Sequence, residues 1–341
     1  IAVLRRRKRA GTKQNVRKGR NHLSKEKVIQ GSLSRYKKTS FWRVLAQNKT
    51  LIFMCMPAII FFFVFAYMPM PGTYIAFTNF KYNKGIWGSP FIGLQNFKFL
   101  FASGQLTLLL KNTVLYNVAF ILLGNVLQLI FAILLNEVAS KWFKKTTQSM
   151  MFLPYFISDV LVSLLVYNLL NYDFGFISNT VRSLGGDMPK VYQMANAWPL
   201  IIVLVNLWKS TGYGTVVYFA AITGMDTGMM EAAQIDGANG FQRIRYITLP
   251  GLLPTFFVLL MLDISNILNN GMDKYLAFQN SMNINTIEVL DLYVYNITIA
   301  SGGTTLYSFA TAIGILKTVV SVTLLFSANF ISKKLRGESI M

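Results

Sequence analysis

Glu231-Ala232-Ala233-Gln234-Ile235-Asp236-Gly237-Ala238, followed by Ile247-Thr248-Leu249-Pro250, is a polar, cap-rich insert between two apolar runs. Each of those runs is long enough to cross a bilayer. An insert of this kind stays in water, where its simplest use is contact with something soluble. Asp226 or Thr227 can cap a short helix there, its side-chain oxygen accepting from a backbone N–H that has no partner inside the helix. Gly237 then supplies the left-handed residue that stops it. Between them Ala232 and Ala233 form a narrow face that another protein can approach closely, flanked by the charges of Glu231 and Asp236. A second segment from Asn239 carries Phe241, Ile244 and Ile247 at helical spacing, so its apolar side is expected to pack back onto a transmembrane bundle. The reading is a knob on a helix, held rigidly beneath a membrane.

The rest of the chain supplies that membrane part. Of its 341 residues 53% are hydrophobic and only 13% charged, too apolar for the surface of an ordinary soluble protein. Apolar runs of membrane length occur at about 51–76, 107–136, 147–170, 197–222, 249–270 and 305–331. Each approaches or exceeds the roughly 20 residues needed to cross about 30 Å of hydrocarbon. The expected fold is therefore an all-α membrane protein of six transmembrane helices, with the quoted insert between helices four and five. The organisation expected is a basic tail over 1–50, a membrane domain over 51–335 with the polar loop at 223–248, and a short tail over 336–341.

The tail holds sixteen of the 33 Lys and Arg residues and few large apolar ones, so it cannot bury enough apolar area to offset its ordering entropy. A run such as Arg5-Arg6-Arg7-Lys8-Arg9 fits a cytoplasmic tail near anionic lipid better than a nucleic-acid site, because the remainder is a membrane domain. The first apolar run lies far from residue 1 and lacks a small-residue cleavage pattern, so no secretory signal is read here. With the tail inside, twenty-four Lys and Arg residues fall on the inner side and seven on the outer. Both termini and the Glu231 loop then face the cytoplasm. Aromatic outer segments, including Tyr74, Phe77, Tyr82 and Trp87, read as interface-belt residues. The stretch 284–299, with Glu288 and Asp291, is amphipathic and could shape an outer vestibule.

Polar residues within apolar runs are costly and mark either a pathway or interhelical bonds. Asp263, Asn266 and Asn270 fall at helical offsets of three and seven on one face of the fifth run. Asn206, Ser210 and Tyr213 do so on the fourth, beside Trp208 and Lys209. Asn117, Asn125 and Gln128 form a stripe on the second, where interhelical bonding is the favoured reading. A hydrated cavity lined by Asp263, Asn266, Asn270, Asn206, Trp208 and Tyr213 would suit a hydroxyl-rich solute. Lys317 is a candidate partner for Asp263, and equally for Asp159.

Catalytic motifs are absent from the sequence. Every Lys-Ser or Lys-Thr pair lacks the preceding Gly of a phosphate-cradling loop, so ATP hydrolysis is not expected of this chain. The single His22 lies in the basic tail, and the single Cys55 in an apolar run, which leaves no triad, zinc site or intrachain disulfide.

The pattern Glu-Ala-Ala, Asp-Gly-Ala and Ile-Thr-Leu-Pro at residues 231–250 resembles the EAA loop of permease subunits of bacterial ABC importers. The resemblance extends through 152–158, 207–212 and 307–312 and covers about residues 50–335, where it is similar to the carbohydrate-uptake branch of maltose-type and polysaccharide-type permeases. It implies that the insert is a coupling helix seated in a cytoplasmic ATPase dimer, through Glu231, Ala232, Ala233, Asp236 and Gly237. It also implies a second, homologous permease chain, an extracytoplasmic solute-binding protein, a place in the bacterial cell membrane, and ATP and Mg bound by the partner ATPase with no cofactor in this chain. A homodimer of permeases stays open. Relatives tend to carry a glycine-containing segment where Asp263-Ile264-Ser265-Asn266-Ile267 stands, and Trp in place of Asp159, so the resemblance carries no specific sugar. Two other classes are an ion-coupled secondary transporter built on Asp263 or Asp159, and a scaffold or sensor working through the basic tail.

Overall fold

The computed structural model describes residues 48–269, 271–300 and 306–336. The basic tail with His22, the end of the chain from 337, and Asn270 lie outside the described residues. Among the described residues the secondary structure is helical apart from one isolated antiparallel bridge, Thr78 with Phe91. The chain divides into two compact units at Pro71 and Gly72.

In the first unit, helix α1 (Lys49–Phe62) buries none of its residues and runs into a π-helical turn at Phe63–Tyr67. A helix that is apolar on every side belongs in lipid, where its backbone groups are satisfied internally and its side chains meet acyl chains.

In the second unit, α2 (Gln105–Glu137) is the longest helix, at 33 residues. It is followed by α3 (Lys141–Phe152) and α4 (Asp159–Leu170). The apolar run expected as one helix over 147–170 is thus broken, and the pair is bent by 99°. Pro154 has no N–H to continue the ladder. Ser158 starts a new helix instead, its Oγ accepting from the Leu161 N–H at 3.4 Å.

Helix α5 (Trp198–Thr223) packs most extensively on α2. Its crossing with α3 is a backbone contact: a Cβ on Gly212 would stand 1.8 Å from the Met151 carbonyl oxygen. Small residues at such crossings let membrane helices approach closely. After the exposed helix α6 (Thr227–Ile235) comes a continuous membrane-length helix, Gly240–Ser265, whose last part is α7 (Leu249–Ser265). It starts nine residues earlier and stops five earlier than the run expected at 249–270. Asn239 and Gln242 form a capping box at its start. A π-helical turn, Ile244–Thr248, directly precedes Pro250 and takes up the carbonyls that a proline ring and its missing N–H would otherwise disrupt.

The last long helix is α8 (Leu306–Arg336). Five helices are long and apolar enough to cross a membrane, and the bent pair α3/α4 adds a sixth if it forms one span.

The stretch 271–300 is core rather than a loose outer loop. It forms short helices at Asp273–Leu276, Ile284–Ile287 and Leu290–Tyr295. Its Tyr275, Ile287, Val289 and Leu292 are fully buried in one cluster with Tyr116, Val162, Trp198 and Ile202. The amphipathic run expected over 284–299 is interrupted at Glu288, whose backbone carbonyl and that of Asn285 accept from the buried Asn112 amide, each at 3.0 Å.

Candidate functional site

Helix α6 is closed at both ends by its own residues. Of the two candidate caps, Asp226 takes the role, its Oδ1 accepting from the Gly228 N–H at 2.9 Å. At the other end Gly237 has φ +78°. The Ala238 N–H reaches the Ala233 carbonyl at 2.9 Å and the Gly237 N–H the Gln234 carbonyl at 3.1 Å, a Schellman closure that satisfies carbonyls the helix leaves over. No residue of α6 is buried. Glu231, Ala232 and Asp236 are exposed and Ala233 half-buried. A cavity of about 320 Å³ lies beside it, lined by Ala233, Asp236, Gly237, Gln242, Arg243 and Tyr246 among others. The expected apolar stripe of the following segment is only partly seated: Ile244 and Ile247 are half-buried, whereas Phe241 is 68% exposed.

The polar residues expected to line one cavity separate into three places. Asp263 accepts from the Asn125 amide at 2.9 Å, and Asn125 accepts from the Tyr218 hydroxyl at 2.7 Å. Tyr218 is fully buried and Asn125 nearly so. This chain of hydrogen bonds joins α7, α2 and α5, which is the interhelical reading of the helix-two stripe at Asn125, whereas the Asn117 amide turns onto the Thr113 carbonyl of its own helix at 2.7 Å. Asn266 turns its amide onto the carbonyl of its own Leu262 at 3.0 Å. Trp208 sits two residues after Asn206, about 200° around the helix, and lines an apolar groove of about 600 Å³ with Phe131, Met150, Met151, Leu204 and Leu207. It is therefore on the opposite face of α5 from Asn206 and Tyr213.

The face that carries Asn206 and Tyr213 is where charge and aromatic surface meet. The Lys209 ammonium donates to Asp159 at 2.5 Å across the bend between α3 and α4. Lys317 pairs with Asp291, which also accepts from the Gly271 N–H. The expected pairings of Lys317 with Asp263 or Asp159 are thus replaced by two others, because the stretch 271–300 brings Asp291 to α8 and the bend brings Asp159 to α5. A third lysine, Lys274, donates to the Asn206 side-chain oxygen at 3.4 Å and stands 5.0 Å from the centroid of Phe120. Two turns further along α5 from Asn206, Tyr213 stacks on Tyr155 with centroids 4.6 Å apart and rings within 14° of parallel. Tyr213 is 49% exposed, so the stack presents an open aromatic edge.

Burial pushes the Lys274 ammonium below its usual value, with Asp159 and Asp291 pulling it back up and Lys209 opposing them. Burial likewise raises the Glu288 carboxyl, against hydrogen bonds from Asn296 and Gln105. Tyr192 is pushed up to about 12 by burial and by Tyr167. Lys274 and Tyr155 did not emerge as site residues from the sequence, and Asp291 did so only as part of an outer vestibule, since their partners lie in other helices and no spacing encodes them. Among the described residues no three His, Cys, Asp or Glu side chains form a metal-binding group.

Residues 124–337 match the family described as the binding-protein-dependent transport system inner membrane component. Protein LplB of Bacillus subtilis (strain 168) is 35% identical over 301 residues, 88% of this chain and 94% of that protein. The polygalacturonan/rhamnogalacturonan transport system permease protein YteP of the same organism is 36% identical over 299 residues, 87% of this chain and 91% of that one. A chain from the crystal structure of a bacterial ABC transporter involved in the import of the acidic polysaccharide alginate is similar with a TM-score of 0.78 at 32% identity, over 86% of this chain and 99% of that chain. A second such structure, in complex with an alginate pentasaccharide-bound periplasmic protein, gives 0.78 at 31%.

Proposed function

Since this chain belongs to the family of inner membrane components of binding-protein-dependent transport systems, we propose that it forms half of the translocation pathway of an ATP-driven importer of an oligo- or polysaccharide. A second permease chain encloses the other half, an extracytoplasmic binding protein delivers the cargo, and a cytoplasmic ATPase dimer binds ATP and Mg and supplies the energy of hydrolysis. Both termini and α6 face the cytoplasm, and the basic tail lies near anionic lipid. The relatives named for polygalacturonan, rhamnogalacturonan and alginate transport support the carbohydrate assignment.

The observation that carries the proposal is α6 itself: a helix closed at both ends, with no buried residue and an alanine face, between two membrane-length helices. Left in water this surface has no reason to be rigid. Seated in a groove of the ATPase through Glu231, Ala232, Ala233, Asp236 and Gly237, it would convey closure of the ATPase dimer to the Gly240–Ser265 helix as a largely rigid-body displacement. Water and solute would then alternate between the two sides of the pathway.

Affinity purification from native membranes tests this. Wild type is expected to bring down a P-loop ATPase and a second permease. Gly237→Val, which forces a β-branched residue to φ +78°, is expected to reach the membrane normally but to lose the ATPase and substrate-stimulated ATP hydrolysis. Full coupling in that variant would remove α6 from the joint.

A further inference from the structure

The charged groups on the Asn206 face do not balance. Lys209, Lys274 and Lys317 meet two carboxylates, Asp159 and Asp291. Each carboxylate is already in contact with a lysine other than Lys274: Asp159 with Lys209, and Asp291 with Lys317. Lys274 acts on both only at longer range. Asp273, its neighbour in sequence, is exposed. What holds the Lys274 ammonium is the oxygen of an amide and the face of a phenyl ring, groups that orient a cation without neutralising it.

The position of this surplus charge matters as much as its sign. Asn206 lies about 16 Å along a helix about 43 Å long, so the short helix Asp273–Leu276 carries its lysine more than a third of the way along it. Partly buried cations at that depth need a counter-charge. The side chains of the Asp159–Lys209 pair remain 25% and 18% exposed, so the face is open to an entering molecule. About 10 Å further along the same face of α5, the Tyr155–Tyr213 stack adds a half-exposed aromatic edge.

We propose that Lys274 is a specificity-determining contact for a carboxylate on the cargo, so that the saccharide carried is acidic. Asn206 holds the ammonium in place, and the pairs Asp159–Lys209 and Asp291–Lys317 keep the chain's own carboxylates from occupying it. The inference rests on the importer reading and adds the charge of the substrate to it.

The test reconstitutes the complete transporter, this chain with its partner permease, ATPase and binding protein, in proteoliposomes. The probes are trigalacturonate and its neutral trimethyl ester, which have the same sugar backbone. Lys274→Gln is expected to reduce uptake of the acid about tenfold or more while changing uptake of the ester less than about twofold. Lys274→Arg should retain most of the acid uptake. If Lys274→Gln does not assemble, Asn206→Asp replaces it, since a carboxylate at the 3.4 Å contact should neutralise the lysine and produce the same selective loss. Equal loss for acid and ester, or no loss for either, overturns the carboxylate contact and leaves the importer intact. Absence of any ATP-dependent uptake of both probes by the wild type overturns the importer reading and the contact together.

Discussion

Helix α6 and the lysine cluster around Asn206 differ in how far along the chain their stabilising partners lie. Every hydrogen bond that closes α6 spans two to five residues, from Asp226 to Gly228 and from Ala238 back to Ala233. In the cluster, Lys209 reaches back 50 residues to Asp159, and Lys274 reaches back 68 to Asn206. The first is a shape that a dozen residues hold by themselves. The second exists only after α3, α4, α5 and the stretch 271–300 have been brought together. A docking knob of local construction can be struck by a partner without disturbing the bundle. A charged face of long-range construction changes whenever the helices move, as a substrate path must.

The sharpest way to break this contrast is at the crossing that assembles the cluster. Gly212→Ala puts a Cβ onto the Met151 carbonyl, and since backbone cannot rotate away, a loss of about 3 kcal/mol is expected. Thermal unfolding of the detergent-solubilised protein should show it as a large fall in Tm, together with loss of the aromatic stack between Tyr155 and Tyr213. An unchanged Tm would mean that α5 and α3 slide apart freely and that the face is not fixed by their contact.

A smaller effect is expected within the cluster. Asp159→Asn leaves Lys209 without its carboxylate in a partly buried site, at a cost of about 2 kcal/mol. Adding Lys209→Met should recover most of that, because the uncompensated charge goes with it. A double variant as unstable as the single one would show that Asp159 serves the α4 start rather than the pair.

The smallest effect belongs to the knob. Asp226→Ala removes one cap and is expected to cost α6 about 1 kcal/mol, seen as faster hydrogen exchange at Gly228 and its neighbours with Tm unaltered. A fall in Tm there would show that α6 is coupled to the bundle after all.

The same contrast governs what could be read from the sequence. Asp226, Gly237 and the apolar runs are local statements, in which a cap, a left-handed glycine and about 20 apolar residues each carry their own physics. The bend at Pro154 was also local, but it was obscured by a hydrophobic run that continues on both sides of it. Pairings were not legible: Lys209, Lys274 and Lys317 with Asp159, Asp263 and Asp291 alone allow many combinations, and the choice is made by which helices touch. Asp263 accepts from Asn125, a partner 138 residues away that no spacing encodes, because α7 packs with that side towards α2. Trp208 and Asn206, close in sequence, part company because a helix turns about 100° per residue.

Both ion pairs share an order in time. Asp159 precedes Lys209 by 50 residues and Asp291 precedes Lys317 by 26, so during synthesis each carboxylate has left the ribosome before the lysine that needs it. A lysine at the centre of a membrane helix opposes insertion by about 2.5–3.5 kcal/mol. For α5 and α8 that penalty falls due when the counter-ion is already at hand, and the lateral exit of each helix into lipid is thereby tied to the earlier arrival of another segment. Assembly of this chain runs from its amino end, and a carboxylate lost from α4 is felt first by the helix made after it.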